Sequence, residues 1–151
     1  MRMFLAALVM LLAGIGLPAQ SAPPATGGAT TVHGGLPPAA EPADVKVPKA
    51  EGPDARTVAE VVGGKAGLKG KSVLVRGKVV KYNAGILGKN WVHLRDGSGS
   101  AANKTNDILV TSKEEAKVGD VVLARGVVRT DVDLGSGYVY AVMIEEATLR
   151  K

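Results

Sequence analysis

Trp91, His93 and Arg95 alternate along the run Asn90-Trp91-Val92-His93-Leu94-Arg95. In an extended strand, neighbouring side chains point to opposite faces. Val92 and Leu94 then share an inward face, and Trp91, His93 and Arg95 share the outward one. An indole beside a guanidinium can hold a flat ring together with a negative charge. Stacking of a base on an aromatic contributes about 1–3 kcal/mol, and the arginine supplies the phosphate partner. The same three residues suit a sugar ring. Arg76, Lys78, Lys81 and Lys89 lie on or near the preceding apolar run and would give that face a basic margin. Tyr138 and Tyr140 follow later on one strand face and extend the aromatic surface. The competing reading is structural. Trp91 then packs against Lys78 or Tyr82 or plugs a barrel end, and the lysines are edge charges that discourage sheet-to-sheet aggregation.

Catalytic chemistry finds little footing. The chain has no cysteine, which removes thiolate nucleophiles, thiolate metal sites and disulfides. His93 is the only histidine after residue 33, so a zinc site lacks its second imidazole. Glu145 and Glu146 are sequential and point to opposite faces of a strand. Ser98 and Ser100 sit in a turn without the G-x-S-x-G context of a hydrolase. Gly64 to Ser72 (GKAGLKGKS) comes within one residue of the G-x-x-x-x-G-K-S spacing, but a strand rather than a helix follows it, so a phosphate loop is rejected. Asp131-Val132-Asp133-Leu134-Gly135 lacks the further oxygens and closing glutamate of a calcium loop. The sequence therefore predicts a binding protein, not an enzyme, with no cofactor and no metal.

These residues must be positioned by short β-rich runs separated by turn chemistry. Strands are predicted over 72–82, 90–95, 107–111, 120–130 and 138–149, with loops at 83–89 and 131–137. Asp96-Gly97-Ser98-Gly99 reads as a tight turn. Ser112 and Glu115 are placed to cap one helical turn between the third and fourth strands. Thr57 and Glu60 form a capping box for a helix over 58–62, which Gly63-Gly64 should end. Val58, Val61 and Val62 would then cover one end of a barrel. Val73-Leu74-Val75-Arg76-Gly77-Lys78-Val79-Val80 is echoed by Val122-Leu123-Ala124-Arg125-Gly126-Val127-Val128. A glycine mid-strand marks a bulge or a sharp coil, which a small closed barrel needs.

The 151 residues divide by composition. Residues 1–22 carry Arg2, an uncharged apolar run over 4–17, then Ala19, Ser21 and Ala22. That is the order of a secretory signal peptide. The apolar run is too short to cross a bilayer, which takes about 20 residues. Residues 23–53 are rich in Pro, Ala and Gly and read as a disordered linker; His33 inside it is a solvated residue. Residues 54–151 carry the valine-rich runs and form the one folded domain. That part holds 16 Lys plus Arg against 11 Asp plus Glu, the same +5 as the whole chain. The excess permits an anionic partner without demanding one.

VLVRGKVV followed by a loop and then Trp91 to Gly99 (WVHLRDGSG) resembles the OB-fold tRNA-anticodon-binding type of class II aminoacyl-tRNA synthetases and replication proteins. The segment 57–151 is also similar to small exported bacterial OB-domain proteins, labelled nucleotide- or nucleic-acid-binding by fold. The resemblance implies an all-β, five-stranded Greek-key OB barrel with a short N-terminal helix. It also implies an aromatic at Trp91 that stacks on a base. It departs from the family in having no synthetase catalytic domain and too short a connection between strands three and four for the usual OB helix. Together with export away from tRNA, these departures argue against anticodon binding, and fold does not fix ligand. The expected protein is periplasmic or secreted, with no membrane span after signal cleavage. Its expected ligand is single-stranded nucleic acid or a nucleotide, held by Trp91, His93, Arg95, Arg76, Lys78, Lys81, Lys89 and Tyr138. A protein partner in a cell-envelope (redox) complex and an oligosaccharide or other small ligand remain open alternatives.

Overall fold

The structure, a computed structural model, describes residues 45–151. The signal peptide expected at 1–22, His33 and the linker up to residue 44 lie outside the described residues. The last part of that linker, 45–53, has no helix or strand but lies against the folded domain. Val47 N donates to Asp96 O at 2.9 Å, Lys49 pairs with Glu60 at 2.7 Å, and Ala50 is buried. Backbone and ion-pair contacts thus hold a stretch whose composition predicts a tether.

Five strands form one closed barrel: β1 (Ser72–Ile86), β2 (Lys89–Arg95), β3 (Ile108–Ser112), β4 (Val121–Asp133) and β5 (Val139–Arg150). Their order around the barrel is β1-β2-β3-β5-β4, and β4 returns to β1. All pairs are antiparallel except β3 with β5. β1 is long because it serves two neighbours. Residues from Ser72 to Lys78 pair with β4, and those from Lys78 to Ile86 pair with β2.

The repeated valine phrase explains the coil. Val73, Val75, Gly77 and Val79 of β1 are buried, as are Val122, Ala124, Gly126 and Val128 of β4. Both glycines face inward where another strand passes close. A Cβ at Gly126 would stand 2.7 Å from Ile144 Cγ2 and 2.8 Å from Glu145 O. The β4–β5 register shifts at that point, between Arg125 and Val127. The extra residue there lies on β5, where Glu146 has φ 51°, so Gly126 makes room for a bulge of its neighbour, and at Gly77 the pairing with β4 stays regular.

The core is aliphatic: Val73, Val75, Val79, Val92, Leu94, Val110 and Ile144 among others. Helix α1 (Val58–Gly63) adds Val58 and Val61 to it, and Val62 packs at its margin. The Thr57–Glu60 capping box forms in both directions. A second short helix, α2 (Lys65–Leu68), follows directly, where Gly63-Gly64 predicts a helix end. Gly64 is the C-cap of α1 and the N-cap of α2, so the glycine turns the chain without releasing it.

Two further expectations change. The loop predicted at 83–89 is a continuation of β1 and β2 into a tight hairpin, with Ile86 opposite Lys89. Leu87 (φ 53°) and Gly88 (φ 71°) make the turn, both left-handed, as a two-residue type I′ connection requires. Between β3 and β4 no helical turn forms. Ser112 Oγ instead accepts from Glu114 N and donates to Glu114 Oε2, a local loop that takes the place of the expected cap. Among the described residues, no helix is long and apolar enough to cross a membrane.

Candidate functional site

Strand pairing assembles a row across the outside of the barrel. Lys81 on β1 stands opposite His93 on β2, His93 opposite Leu109 on β3, and Leu109 beside Met143 on β5. One row on, Asn83 is opposite Trp91. The β1–β2 and β4–β5 hairpins rise on either side of these rows. Between them lies a groove of about 440 Å³, within the range of small-ligand sites. Its base holds Trp91, His93 and Leu109. Its sides are Ile86 and Leu87 from one hairpin and Leu134, Ser136, Tyr138 and Tyr140 from the other.

The rim is apolar where water should favour polar side chains. Leu87 is 74 % exposed, Tyr138 63 % and Ile86 49 %, and Leu134 is also exposed. Exposed apolar side chains clustered around a concavity mark a contact surface more than scattered ones do. Leu87 and Ser136, one at each hairpin tip, are non-glycine residues with left-handed backbone (both φ 53°). Such conformations cost about 1–3 kcal/mol and concentrate at ligand clamps.

Trp91 points away from the barrel core, as its alternation with Val92 and Leu94 predicts. It is nevertheless only 7 % exposed. A second apolar cluster covers it: Leu109 and Met143, with Val132 and Tyr140 packed alongside. Its ring lies 6.3 Å from that of Tyr140, tilted by 37°. Its Nε1 donates to Ile86 O at 2.7 Å, which ties the β1–β2 tip down. Neither structural alternative, packing on Lys78 or Tyr82 or plugging the barrel end, describes this arrangement. The indole is a covered floor beam without the free stacking face expected of it, and the exposed ring of the groove is Tyr138.

His93 and Arg95 converge on Asp107, which the sequence reading did not single out. His93 Nδ1 lies 2.7 Å from Asp107 Oδ1, and Arg95 Nε donates to Asp107 Oδ2 at 3.1 Å. Burial pushes the Asp107 carboxyl up. The hydrogen bond and charge of His93, then those of Arg95, outweigh it and hold the group below the usual carboxylate range. Asp107 is therefore ionised at neutral pH. Arg95 serves this carboxylate and does not line the groove.

The basic margin disperses. Of the four lysines and arginines expected there, Lys81 alone lines the groove. Arg76 is exposed on the part of β1 that pairs with β4, opposite Leu123. Lys78 stands between Arg95 and Val121. Lys89 pairs with Glu145 at 3.2 Å, and Arg129 holds the other oxygen of that carboxylate at 3.1 Å. Burial raises the Glu145 carboxyl, but Lys89 and Arg129 together pull it below its ordinary value. Alternation and charge counting cannot reveal this, because the partners lie 56 and 16 residues away in sequence.

The residues missed are Ile86, Leu87 and Leu134, together with Asn83, Leu109 and Asp107. A signal existed for the first three: aliphatic residues inside segments that read as loops, where polar residues are expected. Asp131 and Asp133 shape the β4–β5 tip. Asp131 has φ 56°, and Asp133 Oδ1 accepts from Gly135 N at 2.8 Å.

No protein-family model matches the chain, and no curated protein matches it.

Proposed function

We propose that this chain is an exported, periplasmic or secreted binding module on an OB-type barrel. In this reading it takes a short apolar segment of a protein partner between its β1–β2 and β4–β5 hairpin tips and catalyses nothing. The strand order β1-β2-β3-β5-β4, the parallel β3–β5 pair and the long β1 support the OB-type reading. In OB barrels the outer face of strands two and three, flanked by these two loops, is the usual contact surface. The apolar run over 4–17 supports export.

One observation carries the choice of partner. Large apolar side chains stand exposed around a groove whose lining, among the described residues, holds a single lysine. A single-stranded nucleic acid needs a track of cations and open aromatic faces. Here Arg95 and Lys89 are committed to carboxylates and Trp91 is covered. Nucleotide binding stays the second reading, favoured by Lys81 and the exposed ring of Tyr138 in one groove.

Selection of phage-displayed peptides on the whole chain tests the proposal. Selected peptides should lose about tenfold or more in affinity for a variant combining Leu87→Ser, Leu134→Ser and Tyr138→Ser. The circular dichroism of that variant should stay unchanged. Equal binding to the variant would refute the groove. Salt-sensitive binding of oligothymidylate at the same residues would install the nucleotide reading instead.

A further inference from the structure

The polar end of the groove carries more information than its apolar sides. Asp107, ionised and held by Arg95, faces His93 Nδ1. Donation from Nδ1 to that carboxylate leaves Nε2 as the ring's acceptor whenever the imidazole is neutral. Among the described residues, the Asp107 contact is the one hydrogen bond of the ring. The groove therefore holds a ring whose Nδ1 is engaged by a neighbouring carboxylate and whose Nε2 is left for a ligand. Directly across the strand pair stands Lys81, exposed and without an ion pair among the described residues. Asn83 lies two residues on, also at the groove. Among the described residues, no acidic side chain lines it.

A cation on one side and an apolar floor on the other thus flank one polar ring, each a single strand away from it. His93 is the cross-strand neighbour of both Lys81 and Leu109. Side chains in such positions are about 4.5–5.5 Å apart at Cβ. A ligand matching all three must place an anion, an N–H donor and an apolar side chain within the span of a single residue. An internal Asp or Glu beside an aromatic spreads these groups over two residues whose side chains diverge. The C-terminal residue of a peptide carries all three: its α-carboxylate, its own backbone N–H and its side chain.

We infer that the groove captures the free C-terminus of a protein partner ending in an apolar residue. Lys81 takes the carboxylate, His93 Nε2 accepts the terminal N–H, and the last side chain rests on Leu109 between the hairpin tips. Asp107 and Arg95 act as positioning residues through the imidazole. This inference rests on the reading of the groove as a peptide site and adds the end and polarity of the peptide.

The test uses the whole chain, with NMR shifts of the groove amides and of the His93 ring nitrogens as readout. The probes are acetyl-Ala-Leu-Phe as the free acid, as the C-terminal amide, and as the acid with an N-methylated last residue. The acid should bind about tenfold tighter than the amide, and that preference should vanish in Lys81→Met, an exposed position. N-methylation should weaken binding to the native protein but make no difference to His93→Leu, which has no acceptor. Equal binding of acid and amide at the groove would overturn the C-terminal capture while leaving a peptide groove. No shift with any probe at millimolar concentration would overturn both. Shifts with tetrathymidylate that displace the acid would replace the peptide by a nucleic acid.

Discussion

Asp96 joins the loop after β2 to the helix that completes the core, and its removal should be costly. The side chain is 5 % exposed. Its Oδ2 accepts from Val58 N at 2.9 Å, at the start of α1. Its Oδ1 accepts from Ser98 N at 2.9 Å and Ser98 Oγ at 2.6 Å, and Ser98 Oγ accepts from Ala59 N at 3.0 Å. Val58 is fully buried, so water cannot replace the lost acceptor. Asp96→Ala orphans two backbone donors at about 1–3 kcal/mol each, so a loss near 3 kcal/mol is expected. For a domain of this size that lowers Tm by roughly 12–24 °C. Asp96→Asn should recover only part, because its amide has one oxygen for two sets of donors and turns an NH2 toward the other. Ser98→Ala should cost about 1 kcal/mol, since Ala59 N loses its acceptor while Asp96 Oδ1 keeps the bond from Ser98 N. Thermal and guanidinium unfolding followed by circular dichroism, with hydrogen exchange at the Val58 amide, measures all three. An Asp96→Ala variant within about 0.5 kcal/mol of native stability would refute the reasoning, since that is the range of an ordinary surface substitution.

Gly126→Ala should cost about 2 kcal/mol by equilibrium unfolding, because its Cβ would press on Glu145 O of the neighbouring strand. Gly77→Ala, where the nearest atom is Leu94 Cβ at 3.1 Å, should cost less. Trp91→Phe keeps the covered ring but loses the bond to Ile86 O. It should destabilise by about 0.5–1.5 kcal/mol, against about 3–5 for Trp91→Ala, read from urea midpoints. Acid should unfold the domain partly through Asp107 and Glu145, both held below their ordinary values in the folded state. A depressed folded pKa stabilises above the unfolded value and ceases to do so as pH falls through the folded one. Native stability should therefore fall from about pH 5 downward. Asp107→Asn should flatten part of that slope when guanidinium midpoints are compared across pH.

Much of this molecule is legible as text. The alternation in Val73 to Val80 and Val122 to Val128 places the core, because a period of two leaves one face for burial. The capping box at Thr57 and Glu60 is local, so it can be read without the rest of the chain. So can the outward direction of Trp91, His93 and Arg95. The tight hairpin at Leu87-Gly88 escaped because leucine is an uncommon residue for a left-handed turn, and cross-strand pairing had to enforce it. The fates of the outward residues escaped for a related reason. Whether Trp91 is open or covered depends on Tyr140 and Met143, and whether Arg95 meets a ligand depends on Asp107. Periodicity is a property of neighbours in sequence. Burial and charge pairing are properties of neighbours in space, and closing the barrel decides which those are.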